Sequence, residues 1–435
     1  MQLTNKLKPI IGIIAASTVL TACNSLYISD TNEIKDVTGL SVIDTYIQIA
    51  ETNYQDSLVT AQTLEKTVEI FLNAPSEDTL NLTKEAWAAA RVPYQQTEVY
   101  RFGNETVDNW EGKVNAWPLD EGLIDYVDAD YGTESDENPF YSANIIANAS
   151  PILGGKPVDA KNISKTFLTE TLHEIDEVES NVATGYHVIE FLLWGQDLNG
   201  TNPGAGIRPA TDYSLTNCSG RNCDRRREYL KSATSLLVDD LQDMANSWKK
   251  EGESRLALNA KGEKGGLETI LTGMGSLAYG ELAGERIKLG LMLHDPEEEH
   301  DCFSDNTHWS HFYDAKGIKN AYLGEYLSSD GNLFKGASLS DLVKQAQPSL
   351  DAKMIDKLTA TESAMQIMVD QALEGNTFDV LIGENNAKGN QIIRDIVNAL
   401  VDQAKTTEEI IHLLALGDIS LEGSDSLDNP NSVIQ

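Results

Sequence analysis

Thr184, His187 and Glu190 recur every third residue through Ala183 to Trp194, a stretch in which nearly every other residue is apolar or small. Steps of three place them along one side of a helix, and in so apolar a segment that side faces inward. A buried imidazole and carboxylate one turn apart are costly unless they bind each other, a partner chain or a cation. Two readings therefore stand open: a metal or catalytic site, and a hydrogen-bonded His–Glu pair.

Other segments offer donors to complete such a site. Trp87, Arg91, Tyr94, Glu98 and Arg101 follow alternating steps of four and three, which align them on one helical seam. Glu98 between two arginines either waits for a cation or for His187, oriented by Arg91 and Arg101, or belongs to a surface ion-pair ladder. Pro93 kinks this helix and leaves the register beyond it open. Glu281 and Glu285 sit four apart on a segment thinned by Gly273, Ser276, Gly280 and Gly284, so a neighbouring helix can approach and the two carboxylates can face a metal between bundles, or face solvent. His294 to Asp314 holds four of the seven histidines, His294, His300, His308 and His311, among Glu297, Glu298, Glu299, Asp301, Cys302, Asp305 and Asp314. This mixture of nitrogen and oxygen donors suits ferrous iron or zinc.

Helices must position all of these groups. Helical periodicity runs through Val42 to Leu72, Thr83 to Arg101, Lys165 to Trp194, Arg225 to Trp248, Leu267 to Leu293 and much of Leu339 to Leu416, while β-type alternation is scarce. The chain reads as all-α. Gly- and Pro-rich breaks at Leu198 to Asp212 and near Asn222 divide it into two helical bundles, over 37–215 and 216–416. The acidic, Ser/Asp-rich end, 417–435, reads as a disordered tail.

Lys6 and Lys8, the apolar run from Ile10 to Leu20, and Leu20-Thr21-Ala22-Cys23 read as a lipoprotein signal over 1–22, with Cys23 the lipidated first residue and 23–36 a tether. The protein is then held on a bacterial cell envelope, and Asn24 favours the outer membrane. A net charge of −35 over 435 residues disfavours nucleic acid and bare anionic lipid as partners and concentrates cations at the surface. Cys218 and Cys223 bracket a short turn and suit a disulfide in an oxidising compartment. Cys302 is left as a buried thiol or an alternative partner.

Gly185, His187 and Glu190 spell G-x-H-x-x-E, and with Leu193-Trp194-Gly195-Gln196-Asp197, Val114 to Gly122 and Cys302-Phe303-Ser304-Asp305-Asn306-Thr307-His308 the chain resembles the iron-regulated protein A branch of the imelysin family. The resemblance implies a duplicated helical bundle in an envelope protein tied to iron acquisition, in a family named for peptidases. It also implies roles for His308 and Ser304. His187, Glu190, Glu98, Glu285 and His308 are the expected metal ligands, with Trp87, Arg91, Arg101, Glu281 and Ser304 supporting them. A cation-binding protein in iron uptake, taking iron, zinc or another divalent ion or a chelate and working with an envelope transport partner, is the leading expectation. A zinc metallopeptidase is the alternative, although without an HExxH its base must come from Glu98 or Glu285. A binder of acidic polysaccharide or of a receptor through a bridging cation is a third class.

Overall fold

Thr38 Oγ1 accepts a hydrogen bond from the Ser41 amide and the Thr38 amide donates one to Ser41 Oγ, a reciprocal cap that opens a helix of 35 residues, Gly39–Asn73. Its Val42, Tyr46, Ala50, Tyr54, Leu58, Ala61, Leu64, Val68 and Phe71 are buried, an apolar stripe at helical spacing. The stripe packs against helices Glu77–Gln95, Cys223–Ser247 and Gly262–Ser276. A computed structural model describes residues 37–133, 135 and 138–433. The signal over 1–22, Cys23 and the tether to residue 36 lie outside the described residues.

From Val37 onward the chain forms one compact unit. The boundary expected between 215 and 216 is crossed by the Gly39–Asn73 helix on Cys223–Ser247 and by helix Thr307–Leu323 on Glu77–Gln95. Helices Pro348–Leu373 and Ala387–Leu413 pair with each other, and the second also lies along 262–288. The described strands form only two small antiparallel hairpins, Ile152–Leu153 with Lys156–Pro157 and Glu325–Leu327 with Leu333–Lys335. Cys218 and Cys223 are joined by a disulfide, and Cys302 is a free buried thiol.

Three expectations are corrected. Lys165 to Trp194 is not one helix: short turns over 165–177 give way to irregular chain, with Glu174, Asp176 and Glu177 in left-handed backbone, before helix Gly185–Trp194 begins. The helix from Thr83 onward ends at Gln95, one turn's reach past Pro93, so Glu98 lies in a separate short turn, Glu98–Tyr100. The tail is ordered through residue 433, because the small-residue stripe expected to admit a helix receives the tail instead. Leu421 lies over Gly275, the backbone at Glu422 and Gly423 lies over Gly280, and Ser426 Oγ donates to the Gly284 carbonyl at 3.0 Å. Leu421 and Leu427 join the core there, which supplies the apolar contact that composition alone concealed.

Candidate metal centre

Every residue of helix Gly185–Trp194 is buried. Its first residue is glycine for two physical reasons. Gly185 has φ +86°, and a Cβ there would stand 2.5 Å from the Val114 carbonyl oxygen. Thr184 does not cap the helix but donates to the Lys113 carbonyl at 2.8 Å, tying this entry to the end of helix Glu105–Asn115. Replacing Gly185 by Ala is therefore expected to cost about 3 kcal/mol, combining a left-handed backbone with overpacking against a main chain that cannot yield. Denaturant unfolding checks this, and a loss under about 1 kcal/mol would show that the Val114 contact does not pin the helix.

So fixed, the helix brings His187 Nδ1 to 3.1 Å from Glu190 Oε2. The other oxygen of Glu190 accepts from the Ser304 amide at 3.0 Å and from Ser304 Oγ at 2.6 Å. Across from them stands Asp301, whose Oδ1 is 2.7 Å from Arg91 Nη2 and 3.9 Å from His187 Nδ1. Its Oδ2 accepts from Asn306 Nδ2 at 3.0 Å and from Ser310 Oγ. His300 packs edge-on to His187 with ring centres 4.7 Å apart, and its Nε2 is 3.5 Å from Asn115 Nδ2. Arg91 joins the two sides by donating to Asn115 Oδ1 at 2.6 Å as well. His187, His300 and Asp301 each present a donor atom within 4.8 Å of the others, enough for three ligands of one ion.

Burial sets the protonation states. His187 and His300 are pushed well below the usual imidazole range, first by desolvation and then by the nearby Arg91 and Arg286 charges. Both rings are neutral at pH 7 and keep a lone pair for a cation. Burial pushes Glu190 well up, with the Asp301 charge adding to it, while the two hydrogen bonds from Ser304 and the Arg91 charge favour its carboxylate form. Burial opposes the charge of Asp301 too, but Arg91 holds its carboxyl below the ordinary value. His187 Nε2 is fully buried and has no hydrogen-bond partner among the described residues. A carboxylate on one imidazole nitrogen with the other left open is how proteins orient a metal-binding histidine. Glu190 thus acts on His187 rather than standing beside it as an equal ligand.

The remaining expected residues divide. Arg91 and Ser304 support the centre directly. Trp87 supports it at one remove, donating Nε1 to the Tyr186 carbonyl at 3.0 Å and lying 5.5 Å from the Arg91 guanidinium. His308 is not in the His187 group. It is buried beside Trp309 and burial lowers it to about 4. Glu98 is not there either: Arg286 Nη2 binds it at 2.8 Å, and the same guanidinium meets Glu281 at 2.7 Å and Asp314 at 3.2 Å. Arg101 binds Asp108 at 2.8 Å and Glu281 at 3.3 Å in this second, charge-dense constellation. The cause lies in helical pitch. Residues Leu277–Lys288 form a π-helix, which brings residues five apart together, so Glu281 meets Arg286 and Glu285 turns outward to solvent. The expectation that Glu285 faces a metal assumed α pitch and is corrected here. A cavity of about 550 Å³ runs between the two constellations, walled by Asn115, Trp117, His300, Glu281, Glu285 and Arg286.

Sequence reasoning placed His300 and Asp301 in a donor-rich segment without choosing them. The fold selects them because His294 to Asn306 is a loop whose middle crosses His187, whereas His308 belongs to helix Thr307–Leu323. Asn115 closes helix Glu105–Asn115 inside the Val114 to Gly122 motif, and its part shows only in its contacts with Arg91 and His300.

Stability should report the buried charges. Burial and the Glu98 charge raise Glu111 to about 7, and burial with the Asp379 charge raises Asp305 to about 7. A raised carboxyl contributes stability present below its unfolded value, near 4, and lost as pH rises through the folded value. His308 and His311 are lowered by burial to about 4 and about 3, so their contribution is present above about 6.5 and lost as pH falls. Between about pH 4 and 6.5 the two sets oppose each other, so Tm in chelator is expected to stay level there, to fall as pH rises from about 6.5 through about 7, and to fall below about 4. A Tm that still rises from pH 6.5 to 8 would contradict this assignment of charges.

The model of the imelysin family matches residues 50–407. Iron-regulated protein A of Synechococcus elongatus is 21% identical over 378 residues, covering 84% of this chain and 83% of that protein. A crystal structure from Parabacteroides distasonis that carries the name iron-regulated protein A precursor superposes with a TM-score of 0.62 at 19% identity, covering 86% of this chain and 94% of the other. An imelysin-like protein of Psychrobacter arcticus gives 0.55 at 14%, over 87% and 97%. With most of its length, the G-x-H-x-x-E helix included, inside the family model, the chain belongs to the imelysin family.

Proposed function

We propose that this protein is a lipid-anchored envelope protein that binds a transition-metal ion at His187, His300 and Asp301 and serves iron uptake. The observation that carries the reading is fully buried His187, bonded to Glu190 through Nδ1 with Nε2 unpartnered among the described residues, in a group with His300 and Asp301 whose donor atoms lie within 4.8 Å of one another. Neutral imidazoles with one carboxylate suit ferrous iron, and zinc is the natural competitor. A relative whose name ties it to iron supports iron as the cargo. Enclosure favours holding an ion over cutting a peptide, since His187, Glu190 and Asp301 are all 0% exposed.

The test is protein extracted from membranes under iron-replete and iron-poor growth. Expected are a diacylated Cys23 by mass spectrometry and about one iron per chain by elemental analysis, with no turnover of unfolded protein substrates after loading with iron or zinc. Metal-free protein that cannot be reloaded overturns the binding reading. Zinc-dependent cleavage that vanishes in His187→Ala and Glu190→Ala replaces it with a metallopeptidase.

A further inference from the structure

A second group of carboxylates lies where the chain leaves the metal centre on both sides. Asp197 follows helix Gly185–Trp194 by three residues, Asp305 follows Asp301 by four, and Asp379 stands in the short turn Phe378–Ile382. One oxygen from each lies within 4.8 Å of the others. Asp379 is 0% exposed, yet neither of its oxygens closes a hydrogen bond, and Asp305 Oδ1 is likewise buried without a partner. The buried Thr377 hydroxyl and the Val380 amide lie near enough to favour the Asp379 charge without closing a hydrogen bond to it.

The charges around these groups are of one sign. Asp125 faces Arg208 and Arg226, and Asp301 faces Arg91, as buried carboxylates require. Asp305 instead feels Asp379 and Asp197, and nearby Glu299, 1% exposed with Oε1 unpartnered, feels Asp379 and Asp305. Asp197 alone is partly exposed, with Oδ1 accepting from the Asn199 amide at 2.9 Å and its side-chain nitrogen at 2.6 Å. That leaves its second oxygen for a ligand and the site a route from solvent.

We propose that Asp197, Asp305 and Asp379 bind a hard divalent cation of calcium type. Oxygen-only donors select against the softer metals suited to His187. Calcium–oxygen bonds of roughly 2.3–2.6 Å put opposite ligands roughly 4.6–5.2 Å apart, which spans the observed separation, while magnesium demands tighter octahedral packing. The cation ties the exit of the G-x-H-x-x-E helix, the loop delivering His300 and Asp301, and the Phe378–Ile382 turn into one unit. It thereby fixes the two halves of the metal centre whatever ion that centre holds.

The experiment is calorimetric titration of the full chain with calcium, then with magnesium, in about 0.15 M salt to screen surface acidity. Thermal unfolding in calcium and in chelator accompanies it. One equivalent of calcium should bind and raise Tm, with Asp379→Asn and Asp305→Asn each lowering affinity at least about 100-fold because charge count sets affinity at such sites. In chelator Asp379→Asn should melt no lower than the parent, which separates lost binding from a damaged fold. His187→Ala should retain the calcium response, so failure of the transition-metal reading leaves this one standing. No calcium binding by the parent, equal binding by Asp379→Asn, or tighter magnesium binding overturns the proposal.

Discussion

His187→Ala is expected to weaken ferrous iron or zinc binding by more than about 100-fold while leaving the helical fold intact. The ring supplies a buried imidazole nitrogen without a partner at the centre, and alanine is a good helix former. Glu190→Gln keeps the shape but removes the carboxylate that orients the ring, and losses of about 10–100-fold follow from such supporting groups. Titration calorimetry of chelator-stripped protein measures both, and circular dichroism checks the fold. If both variants bind like the parent and merely melt earlier, the His187–Glu190 contact at 3.1 Å is a structural hydrogen bond and the metal lies elsewhere.

The second large effect concerns stability. Arg91 and Asp301 form an ion pair at 2.7 Å with side chains 1% and 0% exposed. Arg91→Met removes the only cation bonded to that carboxylate among the described residues and also a donor to Asn115. Breaking a buried pair on one side costs about 3–5 kcal/mol, a fall in Tm of roughly 4–6 °C for a unit of this size. Adding Asp301→Asn to the same chain removes the stranded charge and should recover most of the loss. A single variant that melts like the parent would mean that Asp301 is neutral in the folded protein, contrary to the hold Arg91 has on it.

Helix content and the long helices were legible in the sequence because apolar spacing reports one buried side at a time. The pairing of His187 with Glu190 was legible for the same reason, being a contact within one turn. Arg91 could be singled out because it shares a helical seam with Glu98 and Arg101, but its partner, Asp301, is 210 residues away and no periodicity points to it. Glu281 and Glu285 went wrong through pitch: a π-helical stretch changes which residues share a face, and nothing in 277–288 announces it. Glu98 went wrong one turn past Pro93, where the helix ends and the register of the seam stops applying. The tail was misread because its few apolar residues are enough only against the glycines of Gly262–Ser276 and the turns that follow.

Anomalous scattering from crystals of the full chain, loaded anaerobically with ferrous iron and measured on both sides of the iron edge, tests the metal centre most directly. One peak bounded by His187, His300 and Asp301 is expected, absent from His187→Ala crystals prepared alike. Iron found only along the Glu281 and Glu285 wall of the cavity or at the acidic surface, with none beside His187, would contradict it.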